Sequence, residues 1–269
     1  MQQSAVLVTG GGGGIGAAVA TRAARAGWFV LVAGRDHARM QAVVERVQAA
    51  GSGAAWIELD LADPASIRSA VEAARRACLG VGPLVGLINC AGIAISAPLL
   101  AALGGDGEDL YARHLDVNFH GPRRLIEALA PQMRTARHGR IVNVASSAGL
   151  RGYAYTAAYC ASKHALIGYT RAAARELAGS GVSMAAVCPH YVDSPLTDGS
   201  VQRLVLKTGK SEAQARAFFA EQNPGGRLIT TDEVADVIWS CVEAEENGTI
   251  LELDGARVLR LEGPILKKA

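Results

Sequence analysis

Short runs of β-branched and aliphatic residues alternate with segments of helical period almost from one end of the chain to the other. The runs are Ala5–Val8, Trp28–Ala33, Ala55–Leu59, Leu84–Asn89, Arg140–Ala145, Val182–Val187 and Thr249–Leu253. They are largely apolar rather than alternating, as strands covered on both faces require. The intervening helices have recognisable starts. Asp63 followed by Pro64 reads as an N-cap and first helical residue, and Thr230 with Glu233 three positions later fits a capping box. The pattern predicts about seven strands and about six helices in a doubly wound, parallel α/β sheet with helices on both faces, within one domain spanning residues 1–269. Gly104–Gly107 marks a loop, and residues 193–227 hold no strand and read as an insertion over a substrate site.

Composition narrows the function classes. With 269 residues, half of them hydrophobic (50%) and 19% charged, the chain buries one sizeable core. Its net charge of +2, from 27 basic and 25 acidic residues, lacks the footprint of a nucleic-acid binder. No apolar run approaches the roughly 20 residues of a membrane span, and no basic leader precedes the first strand, so a cytoplasmic address is expected. The five cysteines are scattered without a CxxC pair, which predicts neither a disulfide framework nor a metal site. Cys160 reads as packing, with a reactive thiol as the alternative.

Candidate chemistry begins directly after the first run. Thr9 is followed by Gly10, Gly11, Gly12, Gly13, Gly14, Ile15 and Gly16, and then by an Ala-rich helix. A strand that turns sharply into a helix, with backbone close to a pyrophosphate and helix N–H groups aimed at it, needs residues without a Cβ. Gly10, Gly12, Gly13, Gly14, Ile15 and Gly16 are therefore candidate dinucleotide contacts. At the end of the second run, Gly34 stands where a carboxylate would chelate ribose hydroxyls, and Arg35 follows with a guanidinium suited to a 2′-phosphate. This favours NADP. Asp36 keeps NAD open as the alternative, and a solvated surface arginine is the plainer reading of Arg35.

Tyr159 and Lys163 are four apart, so on a helix they share a face, and a cation beside a phenol favours the phenolate. Ser146 lies thirteen residues earlier, after the fifth run, where ligand crevices of parallel sheets open. Taken with the glycine loop, with Asn89-Cys90-Ala91-Gly92 and with Asn118, this order and spacing resembles the short-chain dehydrogenase/reductase family, in its compact branch with a single Rossmann-type domain.

The resemblance implies an NAD(P)-dependent oxidoreductase moving hydride between a nicotinamide and a secondary alcohol or ketone. It implies Tyr159 as general acid/base and Lys163 as the cation that lowers its pKa and holds the nicotinamide ribose. Ser146 would orient the substrate oxygen, with Ser147 a bystander, and Asn118 would hold a relay water. Asp60 and Leu61 would contact adenine, and Asn89, Ala91 and Gly92 would shape the adenosine ribose pocket while also packing the strand end. Pro189, Val192 and Ser194 would hold the carboxamide. The family usually has glycine after Pro189; here His190 replaces it, and His190 and Tyr191 are candidate substrate contacts or loop-packing residues. After Leu253 the Asp254-Gly255 pair lacks a second glycine and a basic tail runs to Lys268. The resemblance also implies a homo-oligomer, tetramer or dimer.

Within residues 199–227, Arg203, Lys207, Lys210, Arg216 and Arg227 are interleaved with apolar residues. They read either as a solvated helix face or as a basic rim for the phosphates of an acyl thioester. Two rival readings remain. A regulatory or inactive subunit is disfavoured by the presence of Asn118, Ser146, Tyr159 and Lys163 together, and an isomerase or lyase would leave its cofactor unconsumed.

Overall fold

The computed structural model describes residues 3–99, 109–244 and 246–263, so the Gly104–Gly107 loop and the tail to Lys268 lie outside the described residues. The elements run β1 (Ala5–Thr9), α1 (Gly14–Arg25), β2 (Phe29–Gly34), α2 (His37–Ala49), β3 (Ala54–Glu58), α3 (Pro64–Ala77) and β4 (Leu84–Asn89). They continue with α4 (Leu110–Leu115), a π-helical turn (Asp116–His120), α5 (Gly121–Thr135), β5 (Gly139–Val144), α6 (Ala157–Leu177) and β6 (Val182–Pro189). The chain then forms α7 (Pro195–Thr208), α8 (Glu212–Glu221), α9 (Thr231–Ala244), β7 (Ile250–Leu253) and β8 (Val258–Glu262).

One sheet of order β3-β2-β1-β4-β5-β6-β7-β8 joins all the strands, and every pairing but the last is parallel. Side chains alternate between its two faces. Val6, Val8, Val30 and Val32 point toward α1, α2 and α9, whereas Ala5, Leu7, Leu31 and Ala33 point toward α3, α5 and α6. Between the edge strands β3 and β8 both faces are dry, which is why the inner strands read as continuous apolar runs. The expected helix starts are present: Asp63 accepts from the Ala65 N–H at 2.8 Å, and Thr230 and Glu233 exchange the two hydrogen bonds of a capping box, at 2.8 and 3.2 Å.

The sheet has eight strands, not seven, and nine α-helices lie among the described residues rather than six. β8 escapes a hydrophobicity reading because it is a half-exposed edge with Val258 and Leu261 on the surface. Its turn is local: Asp254 Oδ1 accepts from the Ala256 and Arg257 N–H groups at 2.8 Å, and Gly255 takes φ +88°, a left-handed value that costs glycine little. The additional helices come largely from the strandless stretch, which folds as α7 and α8. Strand order reverses between β1 and β4, so the carboxyl ends of these two strands open a crevice.

Candidate active site

A cleft of about 2090 Å³ occupies this crevice, well beyond the roughly 300–1,000 Å³ of a pocket for one small ligand. The glycine loop forms one end. Gly10 has φ +65°, and a Cβ there would lie 2.9 Å from the Ala91 Cα, while a Cβ on Gly16 would meet the Gly10 carbonyl oxygen at 2.4 Å. β1, α1 and the end of β4 thus approach more closely than any side chain permits. No side chain caps α1, and no acidic residue sits in its first turn. Its leading N–H groups and dipole suit an anion, so the cradle fits a dinucleotide pyrophosphate.

Arg35 follows β2 with a largely exposed side chain, 4.0 Å from Asp60 Oδ2. Asp36 also lines the cleft and caps α2, accepting from the Arg39 N–H at 3.1 Å and pairing with the Arg39 guanidinium at 3.3 Å. Arg39 also lines the cleft, its Cβ 3.2 Å from where a Gly12 Cβ would stand. The sequence reading missed this second basic residue, although its place four residues after Arg35, in the first turn of α2, was available as a signal. Asp60 and Leu61 line the same end.

At the middle of the cleft, α6 presents Tyr159 and Lys163 beneath the end of β5. Ser146 Oγ accepts from the Ala148 N–H at 3.1 Å, leaving its own proton to donate to the Tyr159 phenol oxygen. Burial pushes the phenol up to about 12, and the Ser146 hydrogen bond opposes the rise. Burial draws the Lys163 ammonium down to about 8; its Nζ donates to the Val144 carbonyl at 2.8 Å and lies 5.8 Å from the Tyr159 ring centroid. Ser147 is occupied by Tyr153, whose hydroxyl donates to it at 3.0 Å.

Two predicted residues do not line the cleft. Asn118 is wholly buried in the π-helical turn. Its Oδ1 accepts from the Ile93 N–H at 2.9 Å, and its Nδ2 donates to the Ile93 carbonyl and to Ser162 Oγ, each at 3.0 Å. One Oδ1 lone pair remains for a water, beside Gly92 and Lys163. Asn89 sits behind the cleft, where it donates to Asn143 Oδ1 at 2.8 Å, and Asn143 in turn donates to Thr170 at 2.9 Å. This ladder ties β4 to β5 and α6.

His114 is a neighbour the sequence reading missed. Its buried ring packs edge-on against Tyr159 at 6.2 Å. The Ile95 N–H donates to Nε2 at 3.0 Å, so Nδ1 carries the proton and donates to the Leu110 carbonyl at 2.7 Å. These partners fix a neutral tautomer, and burial holds the ring below its usual pKa.

The far wall follows β6. Pro189, Val192 and Ser194 line it, and Ser194 faces the glycine loop, 3.6 Å from where a Gly14 Cβ would stand. His190 Nε2 is 2.7 Å from the buried Glu252 carboxylate on β7, which also pairs with Arg151. The imidazole is tolerated where a glycine was expected because His190 keeps an ordinary negative φ and finds a buried partner. Asn223, another residue missed, accepts from the Tyr191 N–H at 2.9 Å and donates to the Tyr191 carbonyl at 2.8 Å, clamping that residue as a neighbouring strand would. Of the basic residues in this stretch, Arg216 pairs with Asp193 and Asp198, Arg227 with Glu233, and Arg203 donates to the Ala94 carbonyl at 2.9 Å. All five cysteines are free thiols, and no described helix is long and apolar enough to cross a membrane.

The profile of the short chain dehydrogenase family matches residues 4–204. The short-chain reductase protein NovJ of Streptomyces niveus is 34% identical over 259 residues, covering 95% of this chain and 94% of the relative. The monensin polyketide synthase putative ketoacyl reductase of Streptomyces virginiae is 34% identical over 234 residues, covering 86% and 87%. Among solved structures, a variant of actinorhodin polyketide ketoreductase with NADPH superposes with a TM-score of 0.85 at 28% identity, covering 95% of this chain and 97% of that one.

Proposed function

The chain belongs to the short chain dehydrogenase family, and from that premise we propose that it is an NADP-dependent reductase of ketones, working reversibly on secondary alcohols. The observation that carries this reading is the convergence of Ser146, Tyr159 and Lys163 in the cleft, one helix turn apart or hydrogen-bonded, beside a glycine cradle. When bound, the nicotinamide supplies or accepts hydride. Ser146 orients the substrate oxygen, and Tyr159 gives it a proton in reduction and removes it in oxidation. Lys163 returns the proton path toward the buried end of the cleft, where Asn118 holds the Ile93 loop in place. Arg35 and Arg39 take the 2′-phosphate, while the helix turns α7 and α8 form a lid over the substrate. NADPH in a solved relative supports the cofactor choice, and NAD is the alternative.

An acyl thioester is a weaker reading, because Arg203, Arg216 and Arg227 are engaged within the protein. Assembly as a dimer or tetramer is expected from the family and is read by sedimentation. The deciding experiment is a fluorescence titration of the purified protein with NADPH and NADH, followed by an absorbance screen for cofactor consumption with ketones. Tighter NADPH binding and stoichiometric oxidation by a ketone support the reading; binding of neither nucleotide overturns it, and turnover without net consumption points to an isomerase or lyase.

A further inference from the structure

Aromatic residues are scarce in this chain at 5%, yet of its four Phe and six Tyr, six line the cleft: Tyr153, Tyr155, Tyr159, Tyr191, Phe218 and Phe219. Half of the sequence is hydrophobic and overwhelmingly aliphatic, so an indifferent apolar pocket would be expected to draw on Val, Leu and Ala. Three of the rings are in direct contact. Tyr191 lines the same cleft as Tyr159. Phe219 lies 5.0 Å from Tyr191, with ring planes tilted by 46°, and Phe218 lies 5.4 Å from Phe219 at 77°. Tyr191, Phe219 and Phe218 thus form one continuous aromatic patch from the end of β6 to α8, within a lining that also holds Leu196 and Leu204.

Two of the cleft's aromatic residues keep exposed surface. Phe218 is 42% exposed and Tyr155 is 68% exposed. Tyr155 also adopts φ +65°, a left-handed conformation unusual for a residue with a Cβ, and its carbonyl is held there by the Ala97 N–H at 2.9 Å. Large aromatic surfaces held open at a cleft mouth gain most from a planar guest that offers both a desolvated area and a complementary ring quadrupole.

We propose that the substrate is an aryl ketone, its carbonyl on or next to a flat aromatic system that stacks along Tyr191 and Phe219. This rests on the ketone-reductase reading above. The carbonyl carbon gains hydride and the carbonyl oxygen gains the Tyr159 proton, giving the secondary alcohol and the oxidised nicotinamide, and Tyr159 recovers its proton from solvent.

The test compares two ketones of one carbon skeleton, α-tetralone and the saturated α-decalone, under saturating NADPH, in the wild type and in Phe219→Leu. In parallel, α-naphthol and α-decalol are titrated calorimetrically into the NADPH complex, a readout that needs no turnover. The expected result is a kcat/KM at least about tenfold higher for α-tetralone. Phe219→Leu should lower the tetralone-to-decalone ratio about three- to tenfold, the range of one aromatic pair, with the naphthol preference shrinking in step. Equal kcat/KM for the two ketones, or a parallel loss of both in the variant, overturns the aryl assignment while leaving the reductase reading intact. A naphthol preference that Phe219→Leu abolishes, with neither ketone reduced, supports the ring-binding wall and overturns the reductase reading instead.

Discussion

The two ends of the cleft are built by different means. The glycine end is made of backbone: a strand, a tight turn and a helix N-terminus, all within residues 5–25, closed by the end of β4. The substrate end is made of side chains that meet across long stretches of chain. Asn223 clamps Tyr191 from 32 residues away, Glu252 holds His190 across 62 and Arg151 across 101, and Arg203 reaches Ala94 across 109. A shape formed by backbone tolerates few residue types, so it leaves a mark in the local sequence. A shape formed by remote side chains admits many solutions.

The contrast breaks first at its centre. Tyr159→Phe deletes the proton path alone, and kcat should fall by about 10²–10⁴-fold while NADPH affinity, measured by fluorescence, stays within about twofold; loss of nucleotide binding would move Tyr159 out of the catalytic role. At the glycine end, Arg35→Ser with Arg39→Ser removes charge-assisted contacts worth about 1.5–3 kcal/mol each. NADPH affinity should drop at least about tenfold with NADH little changed, and an equal drop for both would make these arginines structural. At the substrate end, Asn223→Ala strands the Tyr191 backbone groups at a cost of about 1–3 kcal/mol. It should raise KM for the ketone more than Kd for NADPH, and a reversed order would erase the distinction between the ends.

The smallest effect is a pH dependence. Burial lowers the folded pKa of His114 below its usual 6.5, so the unfolded chain binds a proton that the folded one does not. Stability is therefore full above 6.5 and declines as pH falls from there toward the folded value. Thermal unfolding should show the decline, and His114→Gln should flatten it; an unchanged slope would assign the decline to other groups.

What was legible in the sequence follows the same division. Inner strand positions could be read because both sheet faces are dry there, and the glycine loop, Ser146, Tyr159 and Lys163 could be read because each lies in a short, chemically constrained run. Asp36 and Asn89 illustrate the limit: each residue type suits a ligand or a structural partner alike, and only the fold shows that Asp36 caps α2 and Asn89 bridges to Asn143. His114, Asn223 and Glu252 carried no local signal, since each acquires meaning only from a partner supplied by another element. β8 was missed for a related reason, its register being set by β7 and a turn rather than by its own alternation.

The placement of Glu252 on β7 has a consequence during synthesis. Contacts between residues far apart in sequence can form only once both partners have emerged, and long loops close late. β1, β2 and β4 are complete by residue 89, so the nucleotide cradle has its strands early. The wall carrying His190 and the loop carrying Arg151 wait for residue 252 to emerge. A chain that has emerged only as far as β6 therefore lacks the carboxylate that fastens His190 and Arg151, and β7 must dock before the substrate wall is complete.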